Sequence, residues 1–352
     1  MSSLRFIEKF DGGLMQPIKV LILDDSLVFR EVLSRGMEVD PRIKVVAKAE
    51  NPFDAIEKIE RYDPDVITCD VHMPKMDGIE FIRQLLPQHP VPIIVVSSVN
   101  DAVFDAMSVG AVGFLGKPNI QSPQSVEKFI KELIEKVIEA SRAKVVSVKE
   151  DALNRPIKND VVSSKKIIAI GASTGGTEAI FQVLKSLPNN IPGIVIVQHI
   201  PPQFSKMFAD RLNNQLPFEV SEAQGGEWIE PGKVLIAPGD KHMGVIKVGD
   251  RLKVDVFYGN KVNGHCPSVD VLFESVASEV GKNAVGVILT GMGYDGAKGL
   301  LSMRRKGART LGQDEESSVV YGMPKAAFEV GAVEKKYSLS QIASGICQVL
   351  KP

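Results

Sequence analysis

Three apolar runs in this chain lead into polar residues able to take part in acyl transfer. Lys166-Ile167-Ile168-Ala169-Ile170-Gly171-Ala172 leads to Ser173, and Gly193-Ile194-Val195-Ile196-Val197-Gln198 leads to His199. Ala284-Val285-Gly286-Val287-Ile288-Leu289 runs through Thr290-Gly291-Met292-Gly293-Tyr294 to Asp295. A hydroxyl, an imidazole and a carboxylate that meet form a hydrolytic triad: a nucleophile, a proton carrier and a group that orients the carrier. A second constellation lies upstream. Asp24-Asp25 follows one apolar run, Asp70 another, Ser97 a third and Lys117 a fourth. Three crowded carboxylates repel one another and call for a divalent cation. Hard oxygen ligands with room for water favour Mg²⁺. With one ammonium and one hydroxyl added, the pocket suits a tetrahedral anion, and attack by an aspartate on phosphorus is its natural reaction.

The apolar runs are short, β-branched and bounded by turn residues, so each is expected to be a buried strand. In a parallel sheet the residues after the strands gather along the carboxyl edge, where ligands bind. In the first half the expected strands are Lys19–Leu23, Lys44–Ala49, Val66–Cys69, Ile93–Val96 and Gly113–Leu115, with helices between them such as Asp54–Glu60 and Gly78–Leu86. Val126, Phe129, Ile130, Leu133, Ile134, Val137 and Ile138 then mark one face of a closing helix. Residues 140–164 are polar, contain Arg155-Pro156 and lack a sustained period, as a linker does. A second βα series begins after Lys165. Short alternating stretches interrupt it from Phe218 to Tyr258, where Gly249-Asp250 is a plausible hairpin turn between Val245–Val248 and Leu252–Val256. The βα pattern resumes at Asp270–Val280. The division is therefore an N-terminal extension over 1–16 (Met15 being an alternative start), a first domain over 17–139, a linker over 140–164 and a second domain over 165–352. Both domains are α/β, each a doubly wound parallel sheet.

Plainer roles compete for these residues. Asp24 and Asp25 could cap a helix, Lys117 could be a surface charge, and Ser173 with Thr174 could cap the helix after them. His242 and His265 rival His199 as the base, and Asp240, Asp270 and Asp314 rival Asp295 as the acid. Gly291-Met292-Gly293-Tyr294-Asp295-Gly296 also fits the dinucleotide fingerprint G-x-G-x-x-G. It occurs late in its domain, and the first turn has Ser173 where close pyrophosphate approach needs glycine. Gly171-Ala172-Ser173-Thr174-Gly175 fits G-x-S-x-G at a strand-to-helix turn, which lifts a hydroxyl out of the sheet. The order Ser…His…Asp is not the Ser…Asp…His of the α/β-hydrolases.

Over about residues 18–138 the chain resembles the receiver domain of two-component response regulators. The resemblance rests on Asp24-Asp25, Asp70-Val71-His72-Met73-Pro74-Lys75-Met76-Asp77-Gly78, Ser97-Ser98 and Lys117-Pro118. It implies a flavodoxin-like fold with Asp70 as phosphoacceptor. Mg²⁺ would be held by Asp25, Asp70 and the His72 carbonyl, with Asp24 acting through water. Lys117 would contact the phosphoryl group, while Ser97 and Phe114 rearrange. His72 departs from the glutamate common in esterase-type regulators.

Over about 165–350 the chain resembles the catalytic domain of chemotaxis protein-glutamate methylesterases. Here the motifs are Ile170-Gly171-Ala172-Ser173-Thr174-Gly175-Gly176-Thr177-Glu178-Ala179, Gln198-His199-Ile200-Pro201-Pro202, Ala237-Pro238-Gly239-Asp240-Lys241-His242-Met243, Pro267-Ser268-Val269-Asp270 and Leu289-Thr290-Gly291-Met292-Gly293-Tyr294-Asp295-Gly296. This implies a three-layer α/β/α fold with a β-hairpin insertion, Ser173 as nucleophile, His199 as base and then acid, and Asp295 as orienting group. Thr174 and the Met292 amide would support the oxyanion, and no cofactor would be needed. Tyr294 replaces a customary asparagine. The implied reaction is hydrolysis of glutamate γ-methyl esters, with deamidation of glutamines, on methyl-accepting chemoreceptors. A chemotaxis histidine kinase would phosphorylate the receiver and activate the esterase. Two other classes stay in view: a DNA-binding regulator, and a non-catalytic adaptor with Ser173 as a helix cap.

Composition bounds these readings. The 352 residues suit two domains, and 44% hydrophobic with 24% charged residues is ordinary for a soluble globular chain. Lys and Arg number 42 against 43 Asp and Glu, so no net field draws the chain to nucleic acid. No apolar run nears the roughly 18 residues of a membrane span, and no signal-peptide pattern opens the chain. The three cysteines, Cys69, Cys266 and Cys347, have no metal or paired-disulfide spacing. A cytoplasmic monomer, neither inserted in membranes nor bound to nucleic acid, is the expectation.

Overall fold

The structure, a computed structural model, describes residues 16–97, 102–145 and 166–351. The alternative start at Met15, nearly all of the expected extension, Ser98 and linker residues 146–164 lie outside the described residues.

The first half alternates β1 (Ile18–Leu23), α1 (Leu27–Met37), β2 (Ile43–Ala49), α2 (Pro52–Tyr62), β3 (Val66–Cys69), α3 (Gly78–Leu85), β4 (Ile93–Ser97), α4 (Ala102–Ser108), β5 (Gly113–Gly116) and α5 (Pro123–Ala140). The strands form a parallel sheet ordered β2-β1-β3-β4-β5. Local chemistry sets the helix limits. Asn51 and Ser122 accept amide hydrogens of Asp54 and Ser125, each followed by a proline at the first helical position. That is why α2 starts at Pro52 and not at Asp54. Asp63, in the left-handed region at φ 45°, stops it. On α5 the buried residues Phe129, Leu133, Val137 and Ala140 follow the expected stripe.

The second half runs β6 (Ile167–Ala172), α6 (Gly176–Ser186), β7 (Ile194–Gln198), α7 (Pro202–Gln215), β8 (Glu219–Glu222), β9 (Lys233–Ile236), β10 (His242–Val248), β11 (Arg251–Phe257), α8 (Val269–Glu279), β12 (Ala284–Ile288), α9 (Ala297–Arg305), β13 (Arg309–Gln313), α10 (Met323–Glu329), β14 (Lys335–Tyr337) and α11 (Leu339–Leu350). Seven strands form one parallel sheet ordered β14-β13-β12-β6-β7-β9-β8. The alternating segment from Phe218 thus divides. β8 and β9 join the main sheet, and only β10 and β11 make the antiparallel hairpin, turning at Gly249-Asp250. Wholly buried strands β6, β7 and β12 lie side by side at the centre. From β6 the sheet grows one way through β7 and the other way through β12, so the chain reverses direction there. Such a switch point opens a crevice at the carboxyl edge.

The two sheets meet through their helices. Phe104 of α4 stacks on Phe208 of α7 at 5.7 Å, and Phe114 of β5 meets Phe204 edge-on at 4.7 Å. Phe104, Phe204 and Phe208 are buried almost completely. The Arg211 guanidinium donates to the Phe104 carbonyl at 2.8 Å, and the Lys144 amide to the Val319 carbonyl at 2.8 Å.

Candidate active site

Ser173 follows β6 directly and His199 follows β7 directly, so two neighbouring strands present them on one edge. The Ser173 amide donates to Thr290 carbonyl (3.0 Å) and the His199 amide to Ala172 carbonyl (3.1 Å), which fixes both turns. Gln198 donates from Nε2 to the Ser173 carbonyl at 2.8 Å. The cap of α6 is Gly175, at φ 75° with no side-chain bond, so neither Ser173 nor Thr174 spends its hydroxyl on capping. The loop after β12 closes over the serine. A Cβ on Gly291 would lie 2.7 Å from that of Ser173, so only glycine fits this approach. Met292 is half-buried beside it.

Asp295 stands beyond the end of β12, in the turn before α9, and its carboxylate Oδ2 lies 2.9 Å from His199 Nε2. It is buried and over-held. Ser268 Oγ and Asn263 Nδ2 each donate to Oδ1 at 2.8 Å, and the Val269 amide donates to Oδ2 at 2.7 Å. Burial pushes this carboxyl up, but His199, Asn263 and Ser268 outweigh it and hold it well below the usual carboxylate range. The acid is therefore ionised and fixed. His199 Nδ1 is buried without a partner among the described residues, and no hydrogen bond among them joins it to Ser173 Oγ. The structure brings imidazole and carboxylate together, and the nearby Ser173 hydroxyl has no hydrogen bond to either among the described residues.

The rival residues have other surroundings. His242 uses both nitrogens: Nε2 at 2.9 Å from the Asn260 carbonyl, and Nδ1 accepting from the Ser268 amide at 3.2 Å. Asp270 accepts from the Gly299 amide (2.6 Å) and Asn263 (2.8 Å), tying α8 to α9. Asp314 accepts from Ser317 within its own turn. Asp240 is exposed at the cleft. His265 differs from these. Its ring stacks on that of His199, centroids 3.7 Å apart and 11° from parallel, and burial with the neighbouring His199 pushes its imidazole down to about 4. Tyr294 is exposed. Asn263 and Ser268 are the residues that sequence reasoning missed as functional. Pro267-Ser268-Val269-Asp270 signals a helix start, but nothing local shows that the start points at a distant carboxylate.

The cleft, about 340 Å³, is lined by Ser173, His199 and His265 on one side and by α5 of the first half on the other. Thr174, expected at the oxyanion, donates its hydroxyl to Glu139 Oε2 of α5 at 2.9 Å.

In the first half, β1 and β3 are neighbours, so Asp24, Asp25 and Asp70 converge, with ligand oxygens within 4.8 Å of one another. Lys117 Nζ lies 2.7 Å from Asp24 and 2.6 Å from Asp70. Burial pulls the lysine down, but its bonds to the two aspartates more than offset this. Asp24 is pushed up, chiefly by burial. Its Oδ1 accepts the Ser26 amide, and the cap of α1 is Ser26, not an aspartate. One ammonium against three carboxylates leaves surplus negative charge, and an all-oxygen donor set suits Mg²⁺. His72 is exposed, and its amide donates to Asp70 Oδ1 at 3.3 Å. Ser97 Oγ is wholly buried and unpartnered among the described residues, while the Ser97 carbonyl accepts from the Lys117 amide. Phe114 is taken up in the contact between the halves.

Comparison with known proteins agrees with this layout. Residues 168–346 match the family described as CheB methylesterase, and 20–143 match the response regulator receiver domain. A protein-glutamate methylesterase/protein-glutamine glutaminase 2 of Syntrophomonas wolfei subsp. wolfei is 49% identical over 336 residues, covering 96% of this chain and 98% of that protein. A protein-glutamate methylesterase/protein-glutamine glutaminase of Salmonella typhi is 43% identical over 334 residues, covering 94% and 96%. The crystal structure of the Thermotoga maritima CheB methylesterase catalytic domain shares 37% identity at a TM-score of 0.51, covering 53% of this chain and 100% of that one.

Proposed function

The chain belongs to the CheB methylesterase family and carries a response regulator receiver domain, and from that premise we propose a phosphorylation-activated protein-glutamate methylesterase, also able to deamidate glutamine. Its substrates are methyl-accepting chemoreceptors and its phosphodonor is a chemotaxis histidine kinase, which places it in chemotactic adaptation. The boundaries that fit this reading are a receiver over 17–139, a linker over 140–164 and an esterase over 165–352.

Ser173 Oγ attacks the γ-carbonyl while His199 takes its proton. With Nε2 engaged by Asp295, Nδ1 is the nitrogen left for the serine. The ionised Asp295 stabilises the imidazolium. His199 then returns the proton to the departing methoxide, methanol leaves, and water repeats the sequence to release glutamate. Thr174 and the Met292 amide stand where the resemblance puts oxyanion support. The observation that carries the reading is the His199–Asp295 pair beside Ser173, with a carboxylate held ionised by five donors.

In the receiver, Asp70 accepts the phosphoryl group, Lys117 contacts it, and Ser97 and Phe114 relay the change. Asp25, Asp70 and the His72 carbonyl would hold Mg²⁺, with Asp24 acting through water. The ion would neutralise charge on the transferring phosphoryl group. Phe114 meets Phe204 of the esterase, so a shift at β5 reaches α7 by direct packing.

Methanol release from methylated receptor membranes tests the catalytic assignment. With a phosphodonor present, the wild-type chain is expected to release methanol and Ser173→Ala none. Equal release by both would refute it. No helix among the described residues is long and apolar enough to cross a membrane.

A further inference from the structure

The cleft in this structure already contains a glutamate. Glu139 stands at the end of α5, its carboxylate inside the cleft that Ser173 and His199 line. One oxygen, Oε2, accepts both the Thr174 hydroxyl at 2.9 Å and Lys136 Nζ at 3.1 Å. Thr174 is the residue next to the nucleophile. Lys136 is one helical turn before Glu139 on the same helix, so the charge and its counter-charge travel together. Both side chains are mostly buried, at 25% and 18% exposure, where an unpaired carboxylate would be costly.

The esterase side offers this carboxylate only neutral partners. Thr174 contributes a hydroxyl, and His265, displaced far below its ordinary titration range, is uncharged at neutral pH. The esterase residues that line the cleft with charge, Lys261 and Asp240, are both exposed. A largely neutral wall suits the acyl group of an uncharged ester or amide. It does not suit a carboxylate, unless a cation arrives with it.

We propose that Glu139 is a tethered imitation of the substrate's glutamyl side chain, seated where the ester's acyl group binds, and that Lys136 is the counter-ion that lets it remain there. This deepens the reading of Ser173 as an esterase nucleophile and rests on it. When α5 withdraws, both charges leave in one movement and the seat becomes neutral. A receptor's methyl ester then enters, and the carboxylate formed by hydrolysis finds no Lys136 to hold it, which favours release. The device therefore blocks the seat with the product's own chemical group and also sets the seat's preference for uncharged side chains.

The test follows Ser173 labelling by a fluorophosphonate in the full chain, with and without acetyl phosphate. Without the phosphodonor, Glu139→Ala is expected to label several-fold faster than wild type and to gain little from acetyl phosphate. Lys136→Ala should also label faster, because it strands a buried carboxylate. Adding Glu139→Gln to Lys136→Ala should restore slow labelling, since the amide keeps the Thr174 bond and needs no counter-ion. Interface loosening alone would make the double variant at least as fast as Lys136→Ala. That result, or a wild-type rate for Glu139→Ala, overturns the proposal. If wild type and Glu139→Ala both stay unlabelled even with acetyl phosphate, the serine assignment itself fails, which is a distinct outcome.

Discussion

Asp295 is the most firmly held member of the proposed triad at the scale of single residues. Its bonds to Asn263, Ser268 and the Val269 amide keep it ionised and aimed at His199. Asp295→Asn should keep the fold and lower kcat by about 10⁴-fold, because an amide imposes the wrong tautomer on the imidazole. Stopped methanol release with near-normal binding of methylated membranes would be the signature. A second expectation concerns His265. The folded imidazole titrates near 4 and the unfolded one near its ordinary 6.5. Between those values the unfolded chain binds more protons, so His265 contributes stability that is present above about pH 6.5 and lost as pH falls toward 4. His265→Phe keeps the stack without the titration, so its melting temperature should fall less than that of wild type over that window. Parallel decline of both would remove His265 as the cause. Ser173 and His199 stood out in sequence because each directly follows an apolar run. His242, in a loop, stood there as a rival base, and nothing in sequence shows that Asn260 and Ser268 engage both its nitrogens.

At the scale of elements, the site depends on where α8 begins and how the loop after β12 closes. Ser268→Ala removes a hydrogen bond to a buried charge, a loss of about 1.5–3 kcal/mol. Realised in the transition state, this would lower kcat by roughly tenfold to a hundredfold. Gly291→Ala should damage activity more than one added methyl in a loop implies, since that methyl would meet Ser173 Cβ at 2.7 Å and collide with Met323 Sδ. A soluble Gly291→Ala chain with wild-type turnover would contradict the close approach. The five strands of the first sheet and β6, β7 and β12 of the second were readable from β-branched runs, with ends shifted by a residue or so. β8, β9, β13 and β14 were not named as strands, since each is only three to five residues long and β8, at the sheet's edge, is half-exposed. Asp295 likewise stands seven residues beyond Ile288, a distance that only the folded loop cancels.

At the scale of the whole molecule, two parallel sheets meet with α5 against the esterase cleft and two aromatic rings of one half facing two of the other. The contact surface was not legible, since Phe104 and Phe208 look like ordinary core residues in their own helices, and Glu139 looks like a surface charge. Receiver chemistry is expected to govern this contact through Asp70. Chelation of Mg²⁺ should abolish the gain from acetyl phosphate and leave the basal rate unchanged, because the three carboxylates belong to the first half and none of them is part of the proposed triad. The measurement that bears most directly on the account is methanol release from methylated receptor membranes by wild type and Asp70→Asn, each with and without acetyl phosphate. Stimulation of wild type alone, from equal basal rates, is the predicted result. Equal stimulation of both chains would contradict the claim that a phosphoryl group on Asp70 opens the way to Ser173.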